Sequence, residues 1–137
     1  MKLDPSAFVA DKDLFEALEK RATLVRCEED KVLFRQGDTP MGLYVLRSGC
    51  VRMTMTARNG ETLISTTMSQ GALLGLPGFI GNQPYTLTAQ AARGVELGLI
   101  SRADFSELML TNPALSLKVL NVLAAEVRNA RAAMSHR

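Results

Sequence analysis

The chain has one histidine, His136, a single residue from its C-terminus. A histidine metal cage, a Ser-His-Asp triad and a Cys-His dyad all need an internal histidine, so the commonest catalytic apparatus is excluded. No CxxC or HExxH pattern is present. Cysteine is scarce too: Cys27 and Cys50 are isolated, and free thiols are expected rather than a disulfide. No apolar run approaches the length of a membrane span, and Met1-Lys2-Leu3-Asp4-Pro5 lacks the apolar centre of a signal peptide. The expectation is a cytoplasmic protein with no metal, no cofactor and no membrane contact. Sixteen Lys and Arg stand against 14 Asp and Glu, a formal charge of +2 that is too small to announce nucleic acid. The most telling absence is local. No residue from Thr62 to Ala92 is charged, although Gly71–Thr88 reads G-A-L-L-G-L-P-G-F-I-G-N-Q-P-Y-T-L-T. Glycines at 71, 75, 78 and 81 let a backbone turn tightly and approach a ligand, yet a site for an anion should also show a cation.

What is present describes one globular domain. The 137 residues are 47% hydrophobic and 22% charged, ordinary for a chain with a proper core. Asp13–Arg21 reads as a short helix, with Asp13 as cap, Glu16 at the capping-box position, and Phe15 and Leu18 on one face. The period then changes to two. Strands are expected over Lys31–Arg35, Gly42–Arg47, Val51–Thr56, Glu61–Thr67, Tyr85–Ala91 and Val95–Ile100. Gln36-Gly37-Asp38 and Ser48-Gly49 are turn signals, and Asn59-Gly60 is the strongest hairpin signal. Short strands at this spacing predict a barrel or jelly roll, mostly β with α.

The last third is helical. Ser101 can cap a helix over 102–110, with Asp104 in its first turn. Asn112-Pro113 restarts the chain, and Ala114 to about Ser135 contains neither Gly nor Pro. Leu120, Leu123, Val127, Ala130 and Met134 repeat at steps of three and four, as in a coiled-coil seam flanked by Arg128 and Arg131. Packing on the chain's own barrel is the alternative to self-association. Self-association is the expectation, since so long an end helix overhangs a small barrel and exposes its stripe.

A helix, a β-roll, a Gly-rich hinge, a short helix and a long helix, in that order, resemble the cyclic nucleotide-binding domain, and more closely the sensor half of bacterial Crp/Fnr-type transcription regulators. The resemblance runs from about Leu14 to Met134. It is carried by Phe34-Arg35-Gln36-Gly37-Asp38, by Gly42–Val51 with Gly49 at the turn, by Leu99–Phe105, and by Asn112-Pro113. It implies a double-stranded β-helix (jelly roll) over about 24–100, with an N-terminal helix, and C-terminal helices over about 102–135, in one domain of 1–137. It also implies a homodimer formed through the last helix and a small-molecule effector. In the family a helix-turn-helix domain follows. The present chain ends at Arg137, where that domain would begin, so this chain alone is expected not to bind DNA specifically.

The family's phosphate-binding cassette is Gly-Glu-apolar, a short helix, then Arg-Ser/Thr-Ala. The resemblance places Gly75 at the cassette glycine, Leu76 at the glutamate, Tyr85 at the arginine and Thr86 at the Ser/Thr. Pro77 and Gly78 open the short helix, and Pro77 offers no N–H. Val127, Ala130 and Arg131 fall on the pocket side of the long helix. Each hydrogen bond to a charged group contributes about 1.5–3 kcal/mol, so losing the Glu and Arg contacts costs roughly 3–6 kcal/mol, or about two to four decades of affinity. Tight binding of cyclic AMP or GMP is therefore not expected.

Blander roles stand beside these. Tyr85 is expected to plug the vacated space, Leu76, Phe79 and Ile80 to be core, Thr86 a strand residue and Cys50 inert. Arg128 and Arg131 are expected as solvated flanks, and Asp38 and Glu61 as turn residues. A terminal His136 is a poor haem ligand. The function expected is a non-catalytic sensor for an effector other than a cyclic nucleotide, perceived by an open cavity between Leu76, Tyr85 and the long helix. The alternatives are an atypical but working nucleotide site, a ligand-free dimerisation module whose cavity Tyr85 fills, and a cupin-type enzyme, which the lone histidine opposes.

Overall fold

The computed structural model describes the backbone of residues 3–135 and the side chains of residues 3–131. Among these residues eight strands form two four-stranded antiparallel sheets. They are β1 (Thr23–Arg26), β2 (Lys31–Phe34), β3 (Leu43–Ser48), β4 (Val51–Thr56), β5 (Thr62–Met68), β6 (Leu73–Leu74), β7 (Thr88–Ala91) and β8 (Glu96–Ile100). One sheet runs β1-β8-β3-β6 and the other β2-β7-β4-β5, the crossed order of a jelly roll. The helices are α1 (Lys12–Arg21), α2 (Leu76–Gly81), α3 (Arg102–Thr111) and α4 (Pro113–Ser135).

Alternation along the strands builds two cores. In β4, Val51 and Met53 point inward while Arg52 is exposed, as a half-buried strand requires. In β3 both faces are covered. Leu46 joins the core inside the roll, with Phe34, Met53, Met68 and Leu97. Leu43 and Val45 face the opposite way, into a second core with Leu14 and Leu18 of α1, Leu76 and Phe79 of α2, and Leu115 and Val119 of α4. Helices α1, α3 and α4 therefore close the outer face of one sheet.

Local chemistry explains most boundaries. Ser101 Oγ accepts from the Asp104 N–H at 3.1 Å and starts α3. Pro113 opens α4, and the Ser116 hydroxyl donates to the Met109 carbonyl at 2.9 Å across the α3–α4 elbow. Asn59 Oδ1 accepts from the Glu61 N–H at 2.9 Å in the β4–β5 hairpin. Strands β1 and β6 were not expected, and two boundaries differ from expectation by two residues or more. The α1 cap is Asp11, not Asp13, because Asp11 Oδ1 reaches the Leu14 N–H at 2.9 Å. Strand β7 begins at Thr88, not Tyr85, because Tyr85 is bonded to the preceding turn. Its N–H donates to the Asp38 carbonyl, and its own carbonyl accepts from Gly37.

The N-terminal segment was not anticipated. Asp4 caps a 3₁₀ turn over Pro5–Phe8, and its side chain accepts from the Ser6 N–H at 3.0 Å. Leu3 and Phe8 sink into the roll's core. The Asp4 N–H donates to Asn129 Oδ1 at 2.9 Å, and Asn129 Nδ2 returns a bond to the Asp4 carbonyl at 3.0 Å. This strap ties the second half of α4 to the roll.

Candidate effector pocket

Helix α2 and the loop after it sit at the mouth of the roll, beneath the second half of α4. Gly75 initiates α2 in the left-handed region, at φ 78°. A methyl group there would lie 2.4 Å from Tyr85 Cε1 and 3.3 Å from Phe34 Cζ. The glycine is thus required twice, by its backbone and by an aromatic ring lying on it. That ring stacks on Phe34, with centroids 3.7 Å apart and planes at 14°. The Tyr85 hydroxyl points to the Gly42 carbonyl at 3.5 Å. Burial first, then neighbouring Tyr44 and Asp38, push the phenol up to about 12, so it remains a neutral group.

A cavity of about 240 Å³ lies between this segment and α4. Gly75, Pro77, Gly78, Tyr85 and Thr86 contribute from the cassette region, and Val127 and Ala130 from α4. These are seven of the nine positions read from the sequence as ligand-facing. The other two are elsewhere. Leu76 is fully buried in the second core and does not line the cavity. Leu76 follows the left-handed turn at Gly75, and its side chain packs with α1 and Phe79. Arg131 is exposed and is not part of the wall.

Of the expected seam, Leu120 and Val127 are 57% and 52% exposed, and Ala130 is exposed. Leu123 is half-buried against the second core. Met134 lies beyond the described side chains, and His136 beyond the described backbone. Phe79 is core, Ile80 is exposed, Cys50 is an exposed free thiol and Cys27 a buried one. Asp38 Oδ2 accepts from the Arg35 N–H at 3.1 Å, a turn role.

Sequence reasoning missed much of the wall. Leu3 and Phe8 come from the strap, and Met53, Met55, Ile64 and Leu87 from the second sheet and its approach. It also missed Glu126. This residue is 6% exposed, lines the cavity, and its Oε2 has no hydrogen-bond partner among the described residues. Burial alone lifts its carboxyl to about 8. The signal was available: Glu126 is the one acidic residue of α4, and it continues the four-three-four spacing of the buried Leu115, Val119 and Val122.

Among the described residues no Lys, Arg or His lines the cavity. Arg102 reaches α2 but is committed outside the cavity. Arg102 Nη1 donates to the Phe79 carbonyl at 2.7 Å, and its guanidinium lies 4.5 Å from the Phe79 ring centroid. Chemically the pocket offers apolar contact, three aromatic side chains and one carboxyl group. Among the described residues it has no cation to neutralise a phosphate.

The sequence model for the cyclic nucleotide-binding domain matches residues 24–112. The chain is 29% identical over 119 residues to the transcriptional activator protein FnrA of Stutzerimonas stutzeri, covering 87% of this chain and 48% of that protein. It is 28% identical, over the same length and shares, to the transcriptional activator protein Anr of Pseudomonas protegens. A lysophospholipase, nte1 of Neurospora crassa, is 27% identical over 104 residues, which are 76% of this chain but 7% of that protein. The chain spans about half the length of the two activators. Among solved structures, the Thermus thermophilus catabolite activator protein superposes with a TM-score of 0.78 at 23% identity, over 96% of this chain and 62% of that one. The sensor domain of the transcriptional regulator DNR from Pseudomonas aeruginosa gives 0.67 at 26% identity, over 81% and 80%.

Proposed function

Because the chain belongs to the cyclic nucleotide-binding domain family, we propose that it is a non-catalytic Crp/Fnr-type sensory module whose effector is not a cyclic nucleotide. In this reading residues 1–137 act as one cytoplasmic unit, the effector occupies the cavity under α4, and the signal leaves through self-association of that helix. The observation that carries the reading is the cavity wall. It is apolar, it contains a carboxyl group, and no cation among the described residues faces it. A cyclic phosphate placed there has no charge partner and meets an acid.

The output through α4 is supported by Val127 and Ala130, which line the cavity and are also exposed on the outer face of the helix. Leu117 and Leu120 extend that exposed apolar stripe, at 64% and 57% exposure. A change in the cavity therefore meets the same helix turns that would contact a second copy. The stacked Tyr85–Phe34 pair in the cavity wall favours the ligand-free alternative.

A thermal-shift screen with cyclic AMP, cyclic GMP, cyclic di-GMP and haem tests the reading. A ligand that binds the native state must raise its stability. Cyclic AMP and cyclic GMP at micromolar concentration are expected to leave the melting temperature unchanged. A clear rise with either would overturn the proposal and restore the atypical nucleotide site.

A further inference from the structure

A buried carboxyl group in an apolar wall restricts the ligand as well as the protein. Glu126 is more than nine-tenths buried, faces the cavity and has an unpartnered Oε2. A carboxylate in that position is costly unless a donor meets it. The protein supplies none among its described residues. Asn129, one turn away, spends its amide on the backbone of Asp4. Arg128 and Arg131, on the same helix, are exposed and outside the wall.

The rest of the wall sets the ligand's body. Phe8, Phe34, Met53 and Ile64 offer apolar contact. The volume of about 240 Å³ suits a compact ligand. An apolar cavity of about 150 Å³ already accommodates benzene, and drug-sized ligands need roughly 300 Å³ or more.

We propose that the cavity takes a compact apolar amine, whose ammonium group pairs with the Glu126 carboxylate while its hydrocarbon body lies against the aromatic wall. The inference rests on the reading of this cavity as an effector site. An anion is disfavoured by the acid and by the lack of a wall cation among the described residues. A neutral hydrocarbon leaves Oε2 without a partner. An organic cation is the class that resolves both, and it places its charge on α4, the helix proposed to carry the signal. Burial holds Glu126 toward its neutral form, and an ammonium ion at Oε2 draws it back to the carboxylate.

The test uses the whole chain and three probes of one shape and different charge: benzylamine, benzyl alcohol and benzoate. The methyl resonances of Met53 and Met55, both in the wall, report occupancy. Benzylamine is expected to bind wild-type protein roughly ten- to hundredfold more tightly than benzyl alcohol, with no binding by benzoate. In Glu126→Gln the benzylamine preference is expected to vanish, with benzyl alcohol affinity unchanged within about twofold. Thermal unfolding of Glu126→Gln should show a fold at least as stable as wild type, because an ionisable group has left a buried site. Equal binding of benzylamine and benzyl alcohol, or a preference that survives Glu126→Gln, overturns the amine while leaving an apolar effector site standing. Benzoate binding most tightly overturns the charge argument. Binding by none of the three overturns the effector site and the amine together.

Discussion

The two halves of α4 rest on different floors. From Pro113 to Leu123 the helix lies on a solid core. Leu115, Val119 and Val122 pack there against α1, α2 and α3, among side chains with almost no exposure. From Ala124 onward the same helix roofs a cavity, carries a buried unpaired acid, and is held by the Asp4–Asn129 clamp. One rigid element is thus anchored at one end and weakly satisfied at the other. Close packing resists displacement, whereas a cavity and an orphaned polar atom leave free energy that a ligand can recover. The difference separates the part of the helix that stabilises the fold from the part able to respond.

The sharpest way to break this contrast is to damage the solid floor. Phe79 is 1% exposed, meets Phe105 edge-on at 5.2 Å and lies beneath the Arg102 guanidinium. Phe79→Ala is expected to lower unfolding free energy by about 3–5 kcal/mol in urea denaturation. A loss below about 1 kcal/mol would show that the second core is no better packed than the cavity.

The cavity half makes the opposite prediction, on pH. The Glu126 carboxyl rises from an ordinary 4.5 to about 8 on folding. Between those values the native state binds more protons than the unfolded chain, so stability falls as pH rises from about 4.5 to 8. Asp4, which the strap brings to the next turn of α4, is exposed and held below its usual value by the Ser6 hydroxyl and N–H, so it titrates below this window. The fall should amount to a few kcal/mol and be largely absent in Glu126→Gln. Denaturation curves at several pH values decide it, and parallel wild-type and mutant profiles refute the burial of this acid.

Gly75 tests the cavity's shape. Gly75→Ala is expected to cost about 1–3 kcal/mol, from the left-handed backbone and the Tyr85 ring together. Adding Tyr85→Ala should recover only the steric part, giving a measurable coupling in a double-mutant cycle. Additive losses would mean that the ring does not rest on the glycine. The smallest effect on stability is expected outside. Leu117→Asp with Leu120→Asp alters exposed positions outside the cavity wall and should change unfolding free energy of the monomer by about 0.5 kcal/mol or less per site. The same pair is expected to abolish self-association in light scattering, and a protein that remains dimeric refutes the stripe as the contact.

How far the site was legible depends on how local its determinants are. Gly75, Tyr85 and Thr86 were recognisable because the cassette resemblance is a short, ordered motif. Leu76 was placed in the pocket by that register, but the turn at Gly75 directs it into the second core. Glu126 was hidden by the more regular apolar stripe at Leu120, Leu123 and Val127. The buried face of α4 is a different one, through Leu115, Val119, Val122 and Glu126. The strap was also visible in part, since Asp4-Pro5 is a helix-start signal, but its destination was not.

By itself the sequence determined six of the eight strands, the turns, the Ser101 cap and the start of α4 at Pro113. It also determined that no charge lies between Thr62 and Ala92 to meet an anion. These depend on alternation, on backbone-bonding side chains and on composition, all properties of neighbouring residues. Tertiary structure alone decided which face of α4 is buried, that Leu76 leaves the pocket, that Leu3 and Phe8 enter it, and that Glu126 sits there unpaired. Burial is a property of surfaces that meet. The residues meeting at this cavity come from both ends of the chain and from its middle, beyond the reach of any local pattern.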